Sequence, residues 1–231
     1  MCPSPELDRL LKELKAKANL INVEGMKRFG IQGGEMLGVS LPEIRKMVQG
    51  TRDHQLALQL WDTRIHEARI MASIVDDPNL ITREQMDKWG NDFNSWDVCD
   101  QVCTNLVDVS PLANELIIKW SANDREFVRR AAFATIAGVS VHNKIMKNEE
   151  FEPYFELIKR YANDDRNFVK KAVNWALRNI GKRNIPLCKR AIAVATQIEQ
   201  MEGRSARWIA RDALRELNQK LSANRIGKMR D

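Results

Sequence analysis

The sequence predicts an all-α fold built as an array of stacked helical pairs, and three observations predict it. Apolar residues recur at three- and four-residue spacing almost throughout the 231 residues, with no sustained alternation of the strand kind. Residue types that start and stop helices punctuate that pattern at intervals of ordinary helix length. A segment in the middle of the chain returns 41 residues later.

The punctuation reads in order along the chain. Ser40-Leu-Pro-Glu43 and Thr82-Arg-Glu-Gln85 have capping-box spacing, and Pro42, Pro111, Pro153 and Pro186 sit where helices would begin. Gly50, Gly90, Gly138, Gly181 and Gly203 sit where helices would end. About ten to twelve helices joined by short turns fit between these marks.

The repeat aligns NDREFVRRAAFATIAG, residues 123–138, with DDRNFVKKAVNWALRNIG, residues 164–181. Asp124 falls over Asp165, Arg125 over Arg166, Phe127 over Phe168 and Arg130 over Lys171. A weaker copy, RWIARDALREL, places Trp208 and Arg211 each 40 residues after Phe168 and Lys171, and IHEARIMASIVDD resembles the same helix with Arg69 at the basic position. The period is that of HEAT-type helical pairs, which bury their apolar sides only against neighbouring pairs, so a curved α-solenoid is expected. Stacking would line up Arg69, Arg130, Lys171 and Arg211 on a concave basic face, a cradle for DNA. The same cations would alternatively bond carbonyls and acids of the inter-repeat turns, such as Asp124 and Asp165.

Composition sets bounds on function. Lys plus Arg number 37 against 31 Asp plus Glu, 44% of residues are apolar, and only 11 Gly and 7 Pro occur, which excludes a disordered chain or a low-complexity fibre. A single domain over residues 1–231 is expected. No apolar run approaches the roughly 18 residues needed to cross a bilayer, and the first residues lack the apolar core of a secretion signal, so a cytoplasmic protein with no membrane partner is expected. Cys2, Cys99, Cys103 and Cys188 are too scattered for a disulfide framework and read as buried thiols. Residues 166–231 hold 16 Lys/Arg and 5 Asp/Glu. Such a basic third is the footprint of phosphate-backbone binding, or else a set of solvated basic faces.

Most catalytic signatures are missing: no Walker loop, GxGxxG, GxSxG or HExxH occurs. His54, His66 and His142 stand apart, and Cys99 and Cys103 share a helix face without further ligands, so neither a metal nor another cofactor is expected. The segment NSWDVCDQV remains. In a helix starting near Ser95, Trp96 and Asp100 are four apart and share a face. An indole can lie against a sugar while a neighbouring carboxylate stabilises developing positive charge. The competing reading packs Trp96 in the core and uses Asp97 as a helix-terminal charge. Trp175 replaces Ala134 of the preceding repeat, which marks a site rather than a packing position. Trp61, Trp89, Trp120 and Trp208 read as packing residues.

Together these segments resemble the AlkD-type DNA alkylation repair family, glycosylases built from HEAT-like repeats. MKRFGIQGGEMLGVSLPEIRKM is similar to its opening helices, SWDVCD to its Trp-Asp-x-x-Asp motif, FVRRAA to its Arg-Ala-Ala helix, and FVKKAVNWALR, ending at Arg178, to its Lys-Ala-x-x-Trp-x-x-Arg helix. Gly25 stands where many relatives carry an aromatic residue, and Asn174 where a small residue is common. The resemblance implies a monomeric, monofunctional, metal-independent DNA-alkylpurine N-glycosylase acting on double-stranded DNA, with positively charged bases of the 7-methylguanine and 3-methyladenine type as leaving groups. It implies Asp100 as the catalytic carboxylate, Trp96 and Trp175 as sugar-contacting indoles, and Arg130 as a phosphate contact. Lys171, Arg69, Arg178 and Arg211 complete the expected DNA-binding set. A charged base leaves readily, so no general acid is required. The alternative is a non-catalytic repeat module that binds DNA structures or a protein partner.

Overall fold

The structure, a computed structural model, describes residues 4–31 and 33–223, so Cys2 lies outside the described residues. Among these residues it is all-α: thirteen α-helices and two short 3-10 turns, with a single isolated bridge between Glu35 and Ile65 in place of any sheet. None of the helices is long and apolar enough to cross a membrane. Contacts divide the chain into two compact units, Met1–Leu112 and Ala113–Asp231.

The first unit holds α1 (Pro5–Ala16), α2 (Leu20–Arg28), α3 (Leu41–Met47), α4 (His54–Asp62), α5 (His66–Val75), α6 (Arg83–Asp92) and α7 (Trp96–Asn105). The Thr82 capping box forms in full, whereas Ser40 makes no side-chain cap and bonds the Glu43 carboxylate instead. α5 is buried nearly all round, packed by α3, α4 and α7. Trp61 and Trp89 stack at 4.0 Å between centroids, their rings nearly parallel, with Phe93 edge-on to Trp61. A buried carboxylate organises the segment before α3: Glu67, 1% exposed, accepts the N–H groups of Leu37 (3.0 Å) and Gly38 (2.6 Å). Gly38 has φ +75°, and a Cβ there would lie 2.2 Å from the Asn19 carbonyl oxygen, so only glycine fits between α2 and this loop.

The second unit holds α8 (Ala113–Ser121), α9 (Glu126–His142), α10 (Glu152–Tyr161), α11 (Asn167–Arg183), α12 (Ile185–Glu199) and α13 (Arg204–Ser222). These pair as α8/α9, α10/α11 and α12/α13, and α9, α11 and α13 stack on one another in turn. That is the repeat expected from the sequence. Its equivalent positions touch: the Phe127 and Phe168 rings lie 5.3 Å apart, and Glu126 accepts the Phe168 N–H. The turns are tied by Arg129, bonded to Asp124 and Asp164, and by Arg166, bonded to Asp164 and the Asp124 carbonyl.

The bonded pairs Asn174–Asp212 and Arg178–Glu216 join α11 to α13. One expectation is corrected here. Of the five glycines expected to end helices, only Gly50 lies in the turn that follows one, after α3; Gly90 lies in the last turn of α6, Gly138 and Gly181 lie inside α9 and α11, and Gly203 is the N-cap of α13. The reason is packing. A Cβ at Gly181 would come within 2.9 Å of Ala191 and Leu217, so the missing side chain lets α11 approach both α12 and α13. The prolines held better: Pro42, Pro153 and Pro186 occupy first-turn positions of α3, α10 and α12.

Candidate functional site

α7 begins at the motif that carries the expected chemistry. Ser95 is its N-cap, but its hydroxyl caps no backbone N–H, and the turn is stabilised otherwise: Asp97 Oδ1 accepts from the Val98 N–H (2.9 Å) and the Ser95 hydroxyl (2.7 Å), and Asp97 Oδ2 lies 2.7 Å from His66 Nε2 on α5. Burial pushes the Asp97 carboxyl up, but the bonds from His66, Ser95 and Val98 outweigh it and leave the group below its ordinary value of 3.8. The two acids of the motif are thereby separated. Asp97 holds α7 to α5, and Asp100, 9% exposed, lies one turn further along the face that starts with Trp96.

Trp96 is half-buried, and its Nε1 donates to the Phe29 carbonyl oxygen at 3.0 Å. The core reading of Trp96 is therefore replaced by an indole pinned at its edge with part of its surface open. What pins it can be traced. Phe29 ends α2, α2 is bonded to the following loop through Asn19–Leu37 and Asn22–Gly38, and that loop is bonded to Glu67 of α5. Gly25, also on α2, has nothing within 4 Å of a Cβ, and the ring of Phe29 one turn later is 75% exposed.

Because Asp97 has a lowered carboxyl pKa in the folded state, it contributes stability that is fully present above its unfolded value and lost as pH falls through its folded value. Asp97→Asn is expected to lower stability at neutral pH and to flatten the loss of stability below about pH 4. Urea midpoints measured against pH in both proteins check this.

The expected basic residues fare unequally. In the first unit Arg69 is 8% exposed, lies 4.9 Å over the Trp61 ring and reaches Asp92 at 3.4 Å, and burial pushes its guanidinium down. In the second unit Arg130 is 6% exposed, and its Nη1 donates to the Phe168 carbonyl oxygen at 2.7 Å. Both were expected on a DNA-facing row; both are held inside the protein, and Arg130 ties α9 to the start of α11, the alternative role open to it from sequence. Arg178 is half-buried and bonds Glu216 at 2.6 Å, with Asp212 at 3.4 Å. Lys171 and Arg211 are exposed. Trp175 is half-buried on α11, whereas Ala134 at the equivalent place on α9 is fully buried. Asn174, beside it, is buried and donates to Asp212.

The remaining tryptophans divide. Trp61, Trp89 and Trp120 are at most 2% exposed and belong to packing, as expected. Trp208 does not: it is 40% exposed and lies among Arg204, Arg207, Arg211 and Arg215. Its sequence carried the signal, since arginines at three- and four-residue spacing around an indole mark a solvent face. The Asp97–His66 pair, separated by 31 residues, left no such signal. Cys99, Cys103 and Cys188 are buried thiols, and among the described residues no group of three or more His, Cys, Asp or Glu side chains is placed to hold a metal.

The DNA alkylation repair enzyme family matches this sequence over residues 10–217, through both units and every motif above. The chain belongs to that family. Two relatives are distant in sequence: the uncharacterized proteins Lin0241 of Listeria innocua and Lmo0209 of Listeria monocytogenes are each 20% identical over 200 residues, covering 83% of this chain and 85% of theirs. The fold is close to that of a solved structure described as a new family of proteins related to the HEAT-like repeat DNA glycosylases with affinity for branched DNA structures. The TM-score is 0.81 at 18% identity, over 96% of both chains. The alkylation repair fold here is thus a HEAT-like helical repeat.

Proposed function

We propose that this protein is a DNA glycosylase that hydrolyses the N-glycosidic bond of positively charged alkylated purines, of the 7-methylguanine and 3-methyladenine type, in double-stranded DNA. The observation that carries the reading is the head of α7, where Asp97 is committed to His66 and Trp96 is fixed by its N–H with Asp100 one turn beyond it on the same face. Little water reaches Asp100, so its charge acts on a nearby oxocarbenium-like sugar more strongly than an exposed carboxylate would. The open part of Trp96 offers a flat surface to deoxyribose. The alkylated base leaves as a neutral molecule, which removes the need for a general acid or a metal ion.

Trp175 is a second indole for the sugar-phosphate backbone, and Lys171 and Arg211 are the phosphate contacts best supported by their exposure. Arg69, Arg130 and Arg178 support binding through the helices that they tie. Residues 1–231 form one DNA-repair domain that works as a monomer in the cytoplasm without a cofactor.

Release of methylated base from alkylated duplex by the purified protein tests the reading directly, and no release above the rate without protein would remove it. Lys171→Ala is expected to lower the slope of log affinity against log salt by about one, while Arg130→Ala lowers stability and leaves that slope unchanged. Equal slopes in wild type and Lys171→Ala would take Lys171 out of the interface. A second reading, DNA-structure binding without excision, is favoured by the branched-DNA affinity described for the solved relative and by the buried state of Arg130. The base-release assay separates the two.

A further inference from the structure

α13 carries cations where its own stability would not place them. Its first turn contains Arg204 and no acidic residue, and Arg207 follows, although the positive end of a helix dipole disfavours cations there. The opposite side of the helix is core: Ser205, Ala206, Ile209, Ala210, Ala213 and Leu217 are buried. Trp208 stands with the arginines and not with that core, 40% exposed. Arg204, Trp208, Arg211 and Arg215 recur at three- and four-residue intervals on one helix face, and with the neighbouring Arg207 and Asp212 they line a shallow depression of about 480 Å³. From α11, Lys170 Nζ adds a further positive charge 5.4 Å from the indole centroid.

Little in the protein neutralises this surface. Arg215 is bonded to Asp212, whose other oxygen accepts from Asn174, and Arg211 comes no closer than 3.9 Å to Glu199. Arg204 and Arg207 have no carboxylate partner among the described residues. A large indole left in water and a cluster of like charges are both unfavourable alone. One ligand class relieves both: a polyanion that presents an aromatic face. An intact duplex offers phosphates but keeps its base faces stacked inside. Unpaired nucleotides offer both, and stacking platforms flanked by cations are how single strands are held.

We propose that the Trp208 face of α13 is a second DNA-binding site, specific for unpaired nucleotides. The indole stacks on an exposed base through the ring face not covered by Lys170, and Arg204 and Arg207 hold the adjoining phosphates. The site rests on the reading that this protein acts on DNA. It directs the protein to DNA with a single-stranded stretch next to a duplex.

The test compares binding to a labelled duplex carrying a short single-stranded gap with binding to the same duplex intact, at matched salt. Wild type is expected to prefer the gapped DNA by about tenfold or more, Trp208→Ala to reduce that preference to about twofold or less, and Trp208→Phe to keep most of it. Melting curves confirm that the variants are folded, which the exposure of Trp208 favours. Equal wild-type affinity for gapped and intact DNA, or a preference that survives Trp208→Ala, overturns the proposal. Base release from intact alkylated duplex, measured on the same samples, keeps the two readings apart. Excision without a gap preference removes only the stacking site, and a Trp208-dependent preference without excision removes only the glycosylase. No binding to any DNA removes both.

Discussion

Asp100→Asn is expected to slow release of 7-methylguanine from alkylated duplex by about a hundredfold or more, with DNA affinity changed by only a few fold. The substitution is nearly isosteric, so packing at the head of α7 is kept while the charge is lost. Its position makes the effect large: at 9% exposure the carboxylate is poorly screened by water. Asp97→Asn is the control, because Asp97 is spent on His66, Ser95 and Val98 and its loss acts on stability. Single-turnover base release under saturating protein separates chemistry from binding. An unchanged rate in Asp100→Asn would show that Asp100 is not the catalytic carboxylate.

The paired substitutions Trp120→Ala and Trp175→Ala are expected to give opposite patterns. Trp120 is 2% exposed in α8, and truncating it leaves a cavity that costs about 3–5 kcal/mol, a fall in melting temperature of roughly 10 °C. Trp175 is half-buried, so its truncation costs at most about half as much in stability. Its effect falls instead on excision, by about tenfold or more, because a misplaced sugar loses the benefit of orientation. Both variants are melted and assayed together. Strong destabilisation by Trp175→Ala with full activity per folded molecule would return Trp175 to the core and shift weight to the non-catalytic reading.

The basic residues show how far a repeat pattern can be read. Alignment places Arg130 over Lys171, yet one is buried on the Phe168 carbonyl and the other is exposed. Sequence period fixes the face of a helix to within a turn. It does not say whether a long flexible side chain on that face reaches a backbone acceptor on the next helix or continues into solvent. Trp208 shows the converse: it reads as a packing residue along the chain, yet it stands 40% exposed among four arginines. Gly138 and Gly181 were misread for a related reason, since a glycine that ends a helix and one that admits a neighbouring helix look alike along a chain.

The sequence by itself determined the all-α class, the three stacked pairs of the second unit and the motif at the head of α7, because these follow from periodicity, capping and local repetition, which act over a few turns. Only the tertiary structure decided which acid of SWDVCD is structural, since that rests on His66 arriving from another helix. Only it showed what holds Trp96, a carbonyl 67 residues away at the end of α2, and which cations face solvent. Bonds between distant segments depend on side-chain reach and on the exact packing distance between helices, and neither leaves a period in the chain.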